Sequence, residues 1–276
     1  MLKLAVLGAQ TLLGRELVQA LEAQECSVLP LTTGPLTVAQ EIGDLVIFAP
    51  SPALLEGLDL VILTGSPQDP EMMPAFPGRV LDLREAPDEA AEPMPLTGAW
   101  PKEHRLLRGR PALEMVLTLL PGLVEGFSDI SGTHLRSVAS LGDHGLEGLS
   151  QQTVAVLKGN DPDTESLGYR AAFEVVPQMP RGTLIEVRVP VFHGDLLILH
   201  LRAKEGQTLK ACSAREGLAW VDRPPTSREV AVSPDLLVHL ATGADGQTGI
   251  LTLGFDPILW GALRPVMRLL ELGGLH

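Results

Sequence analysis

The stretch Leu2-Lys3-Leu4-Ala5-Val6-Leu7-Gly8-Ala9-Gln10-Thr11-Leu12-Leu13-Gly14 decides the architecture. An apolar run ends at Gly8, and from Thr11 to Ala23 the residues Leu12, Leu13, Leu17, Val18 and Leu21 recur at helical spacing. A buried strand, a tight turn and an amphipathic helix are predicted in that order. Gly8 permits the sharp turn, and Gly14 lets the helix lie close to the strand. The start of the helix then presents N–H groups suited to a pyrophosphate. Gly8, Ala9, Gln10, Thr11, Leu12, Leu13 and Gly14 therefore form a candidate dinucleotide-binding turn for NAD or NADP. Thr11 stands where the middle glycine of such a turn belongs, and its Cβ crowds the phosphate position. The two glycines fit nucleotide binding and plain strand–helix packing equally well.

Four further apolar runs follow: Cys26 to Leu31, Leu45 to Phe48, Leu58 to Leu63 and Val80 to Leu83. They are continuous rather than alternating, as parallel strands covered on both faces are. Residues 1 to about 108 are predicted to form a Rossmann-type, doubly wound α/β sheet. The segments 35–43 and 51–57 read as short, poor helices. After the second run, Leu31-Thr32-Thr33-Gly34 offers neither an acidic residue for a ribose nor an arginine for a 2′-phosphate.

From about residue 133 the pattern changes. His134 to Leu141 reads as a strand and Gly145 to Lys158 as an amphipathic helix. Leu184 to Val191 and Leu196 to Ala203 read as two strands joined by the turn Phe192-His193-Gly194-Asp195. Thr208 to Trp220 has helical spacing. Val230 to Ser233, Leu236 to Ala241 and Gly249 to Leu253 read as strands, and Asp256 to Leu272 as a long amphipathic helix. An α+β domain with a mostly antiparallel sheet is expected, followed by a helix that returns to the first domain. The predicted division is 1–108 with 256–276, and 109–255.

Composition narrows the function classes. The 276 residues carry 21 Lys+Arg against 34 Asp+Glu, a formal net charge of -13. Such a surface repels phosphodiester backbones, which disfavours a nucleic-acid partner. No apolar stretch approaches the roughly 20 residues of a membrane span. The first residues lack the features of a signal peptide, so a cytoplasmic protein is expected. Cys26 and Cys212 make neither a disulfide framework nor a metal-binding spacing.

Taken in order, several segments resemble the aspartate-semialdehyde dehydrogenase family. The opening LAVLGAQTLLGRELVQALE is similar to its first strand, turn and helix. LDLVILTGSPQ (58–68) resembles its fourth strand and the small-residue loop near the cofactor, which adds Thr64, Gly65 and Ser66 to the candidate cofactor contacts. VASLGDHGLEGLSQQT (138–153), AAFEVVPQ (171–178) and IEVRVPVFHGD (185–195) resemble parts of its dimerisation domain, and DPILWGALRPVMRLLEL (256–272) its last helix. The resemblance implies a homodimer formed through the second domain's sheet.

The family's reaction needs a cysteine thiolate that attacks an aldehyde, a hydride acceptor, and a histidine that moves protons. At the matching positions of this sequence stand Arg110 for the cysteine, Ser137 for a glutamine beside it, and Asp195 for the histidine. A guanidinium forms no thioester. His193 lies one residue from a catalytic histidine's place. Arg188 matches a substrate-carboxylate arginine, with an ion pair to Asp195 or Glu186 as its structural alternative. An ion pair between Arg110 and Asp195 would fill the catalytic positions with charge. No metal ligands are predicted. Two functions follow: a non-catalytic homologue acting as a structural or regulatory protein, with a true dehydrogenase subunit as its candidate partner, or an NAD(P)-dependent oxidoreductase with altered, non-thioester chemistry.

Overall fold

The computed structural model describes residues 2–24, 26–33, 40–64, 76–84, 90–96, 99–178, 182–213 and 215–271. The chain divides into two units, Met1–Met115 with Gly261–His276, and Val116–Trp260.

The first unit begins with β1 (Lys3–Leu7), α1 (Leu12–Glu22) and β2 (Ser27–Leu31). A small antiparallel ribbon of β3 (Glu41–Ile42) and β4 (Leu45–Val46) and the single turn α2 (Pro52–Leu55) follow. Then come β5 (Leu60–Leu63), β6 (Arg79–Asp82), β7 (Glu92–Pro93) and β8 (Leu106–Arg108). Six of these strands form one sheet in the order β2-β1-β5-β6-β8-β7, and every pairing in it is parallel. The apolar runs are continuous because alternate residues enter different cores. Leu4, Val6, Leu60 and Ile62 pack with Leu17, Val18 and Leu21 of α1, whereas Ala5, Leu7, Val61 and Leu63 pack with Leu31, Leu55 and Phe76. Val266 and Leu269, from the far end of the sequence, complete the first of these cores. The expected strand Leu45 to Phe48 contributes to this sheet only an isolated bridge between Leu31 and Phe48.

The short helix α3 (Ala112–Leu117) is followed by the second unit's β9 (Val124–Glu125) and β10 (Phe127–Arg136). A 3-10 turn at Val138–Leu141 leads into α4 (Gly142–Leu157). Then come β11 (Val176–Pro177), β12 (Leu184–Arg188), β13 (Asp195–Ala203), β14 (Lys210–Ala211) and β15 (Leu218–Trp220). The helical turn α5 (Ser227–Val230), β16 (Leu236–Thr242) and β17 (Thr248–Phe255) complete this unit. A π-helical turn at Leu259–Leu263 runs into α6 (Arg264–Glu271). The seven-stranded sheet has the order β11-β12-β10-β13-β17-β16-β15 and is mixed. β10 with β12 and β15 with β16 are parallel, and the other pairs are antiparallel. One face buries Leu197, Leu199, Leu201, Leu251, Leu253 and Phe255. On the other, Ile185, Thr133, Ile198 and Thr252 stand in one register row and Ser131, His200 and Ile250 in the next.

Four expectations are corrected here. β12 and β13 do not pair with each other, because β10 inserts between them. The strand predicted through Leu141 ends at Arg136, and a 3-10 turn takes its place. The segment Thr208 to Trp220 is two short strands rather than a helix, with Gly217 at φ 76 just before the second. Val230 to Ser233 is the end of a capped helical turn, not a strand. No helix among the described residues is long and apolar enough to cross a membrane.

Candidate functional site

The glycine turn lies at the carboxyl end of β1, with β2 on one side and β5 on the other. This reversal of strand order is where open α/β sheets form their crevice. Gly8 adopts φ 99, a conformation that favours glycine. A Cβ on Gly14 would stand 2.2 Å from the Gly8 carbonyl oxygen, so Gly14 sets how closely α1 approaches β1. Both glycines are thus required by packing, whether or not a ligand binds. Thr11 is the N-cap of α1, in extended conformation, and its hydroxyl accepts the Gly14 N–H at 3.0 Å. The same hydroxyl donates to the Gly8 carbonyl at 2.8 Å, which also accepts from the Thr64 hydroxyl at 3.0 Å. The N–H groups of Gly8 and Ala9 donate to the Leu31 carbonyl. Gln10 reaches across to the segment after β2, its Nε2 donating to the Thr33 hydroxyl at 2.6 Å. Of the predicted cofactor contacts, Thr64 joins this cluster, and Gly65 and Ser66 lie outside the described residues.

Arg110 lies two residues before α3, at the approach to a helix start. Its Nε donates to the Met94 carbonyl at 2.5 Å, and its guanidinium pairs with Glu114 of α3. Neither cysteine begins a helix. Cys26 stands just before β2, where burial pushes its thiol up from the ordinary range and away from thiolate reactivity. Cys212 follows β14 and donates its N–H to the Leu123 carbonyl.

In the second unit the structure brings Ser137 and Asp195 together. Asp195, 1% exposed at the start of β13, accepts the Ser137 N–H at 2.8 Å and the Ser137 hydroxyl at 2.6 Å on one oxygen. Its other oxygen lies 2.9 Å from Nε2 of His134. His134, on β10, stacks against Phe255 and places Nδ1 3.9 Å from Glu186. Glu186 in turn pairs with Arg136, whose Nε donates to Ser140 at 2.6 Å. The carboxylate sits between serine and histidine, so the histidine is not placed to take the serine's proton. The arrangement is a buried tie between the end of β10 and the start of β13, not a nucleophile relay. His134 was missed by the sequence reading; its signal is a lone histidine at a core-facing position of an otherwise regular strand.

Arg188 pairs with neither Glu186 nor Asp195. Its guanidinium lies 4.6 Å from the Tyr169 ring centroid, and its buried Nε has no hydrogen-bond partner among the described residues. His193 stands 3.8 Å from Asp256, which caps the turn that follows by accepting the N–H groups of Ile258 and Leu259. Among the described residues no group of three or more His, Cys, Asp or Glu is placed to hold a metal ion.

The parallel sheet with its reversal at β1, the mixed seven-stranded sheet and α6 returning to the first core together make a two-unit α/β architecture. The chain has, in particular, the fold of the aspartate-semialdehyde dehydrogenases. A probable member from Pseudomonas aeruginosa superposes with TM-score 0.76 at 20% identity, covering 98% of each chain. Aspartate semialdehyde dehydrogenase II of Vibrio cholerae, solved with ASA, gives 0.76 at 16% identity over 99% of this chain and 98% of that one. The Francisella tularensis enzyme gives 0.75 at 13% identity over 99% of each. No protein-family model and no curated protein sequence matches the chain.

Proposed function

We propose that this chain is a cytoplasmic, non-catalytic relative of the semialdehyde dehydrogenases, serving as a structural or regulatory protein. The observation that carries this reading is at the approach to α3. Thioester chemistry needs a thiolate at a helix start, where the dipole lowers its pKa, and there the chain offers Arg110, paired with Glu114. A guanidinium keeps its proton at any ordinary pH and has no lone pair to give. Asp195 supports the same reading, since both of its oxygens are engaged with Ser137 and His134. Arg188, whose buried Nε beside Tyr169 has no partner among the described residues, remains suited to anchor a carboxylate. An assay with aspartate semialdehyde, phosphate and NADP tests the reading. No turnover is expected, and a measurable rate would overturn it.

The proposal extends to a homodimer. The open face of the seven-stranded sheet exposes Ile185 at 42% and Ile250 at 43% among Ser131, Thr133 and His200, a mixed surface of the composition that protein interfaces commonly have. Light scattering is expected to give twice the mass of the 29.5 kDa chain. A mass of one chain sinks this part and leaves the non-catalytic reading intact.

A further inference from the structure

The fold implies a dinucleotide, so the residues of the crevice at the head of β1 are tested against one. A pyrophosphate at such a turn binds the uncommitted N–H groups at the start of α1, and a ribose needs an acidic partner after β2. Here the Thr11 hydroxyl accepts the Gly14 N–H and is itself held by the Gly8 carbonyl. A second hydroxyl, from Thr64, packs onto that same carbonyl. After β2 the chain presents Thr32 and Thr33, and Thr33 is bridged to the glycine turn by Gln10. The bond to Thr33 holds this side chain over the turn, although its buried Oε1 has no partner among the described residues. The residues do not fit the group.

We infer that the crevice is closed from within, with the Thr11 hydroxyl standing in for a phosphate oxygen and the Gln10–Thr33 bridge standing where the ribose would lie. The chain thus keeps the nucleotide-binding architecture without holding NAD or NADP. This deepens the non-catalytic reading by naming what occupies the cofactor's place. It is tested by binding alone, so turnover and binding fail separately.

The experiment is calorimetric titration of NADP and of NAD into the full chain, with melting midpoints as a second readout. At about 1 mM, a ligand with Kd ~10 µM would be nearly saturating and would raise the midpoint by mass action. The wild-type chain is expected to give no binding heat and no shift; a Kd below ~100 µM for either nucleotide overturns the inference. Thr11→Gly removes the internal cap, and Thr11→Ser keeps its oxygen. With Gln10→Ala added to each, the glycine form is expected to bind NADP at least about tenfold tighter than the serine form. Equal affinities in two folded variants would strip Thr11 of the role assigned to it. If the glycine form does not fold, the wild-type titration still decides.

Discussion

Asp195 ties two strands of the second unit together through both of its carboxylate oxygens. Three donors converge on a carboxylate that is 1% exposed, and none of them has another acceptor at comparable distance. Asp195→Ala leaves the Ser137 N–H and hydroxyl and one nitrogen of His134 buried without an acceptor. A loss of about 3 kcal/mol is expected, read as a lower urea midpoint at unchanged slope. A loss under about 1 kcal/mol would show that the tie is ornamental. Sequence reading placed Ser137 and Asp195 at related positions but did not pair them. They lie 58 residues apart, and nothing local announces a contact at that range. His134 carries no strong local signal either: its strand also holds Ser128, Asp129, Ser131, Thr133 and Arg136, so one more polar residue does not stand out. Thr11 was legible as a departure from the glycine pattern, but its role as an N-cap appears only with the backbone.

Among the elements, the parallel strands were legible because their reading needs no partner information. A residue buried on either face of a covered sheet is apolar. The errors fall where one pattern fits two structures. Leu209, Cys212 and Leu218 have helical spacing, yet Leu209 bonds to Gly246 and Cys212 to Leu123, tertiary contacts that outweigh local propensity. Insertion of β10 between β12 and β13 left one local sign, Gly132, where a Cβ would stand 2.1 Å from the Ile198 carbonyl. The turn α5 carried a readable signature in Thr226-Ser227-Arg228-Glu229, a capping box with both reciprocal bonds formed. Hydrogen bonds from the Thr226 backbone and hydroxyl, then Arg223, hold the Glu229 carboxyl below its ordinary 4.5. A carboxyl lowered by folding adds stability above its unfolded value, and this is lost as pH falls through the folded value. Glu229→Gln is therefore expected to melt below wild type at neutral pH. The gap should close as pH drops below about 4, in thermal scans across that range. A gap that is constant with pH would mean that the charge contributes nothing.

At the scale of the whole molecule, the first unit is assembled from two separate stretches of sequence. Val266 is 0% and Leu269 3% exposed, and both belong to the core that contains Leu4, Leu17 and Leu60. Burial of each is worth about 1.5–3 kcal/mol, against a typical total stability of about 5–15 kcal/mol. Removing residues 261–276 is expected to abolish cooperative unfolding of the first unit while Val116–Trp260 remains folded. Loss of hydrogen-exchange protection in β1, β2, β5, β6 and β8, with protection kept in β10, β13 and β17, is the expected result, and first-unit protection equal to wild type would contradict it.

The same feature bears on how the protein is made. Domains ordinarily acquire structure on the ribosome in the order in which they are synthesised. Here residues 116–260 form an uninterrupted unit, whereas the earlier segment must wait for 261–271 to emerge. The later half is thus free to mature first, and until residues 261–271 have emerged the nascent Val6, Ile62 and Leu81 have no Val266 or Leu269 to cover them. That interval is when a chaperone would have most to hold.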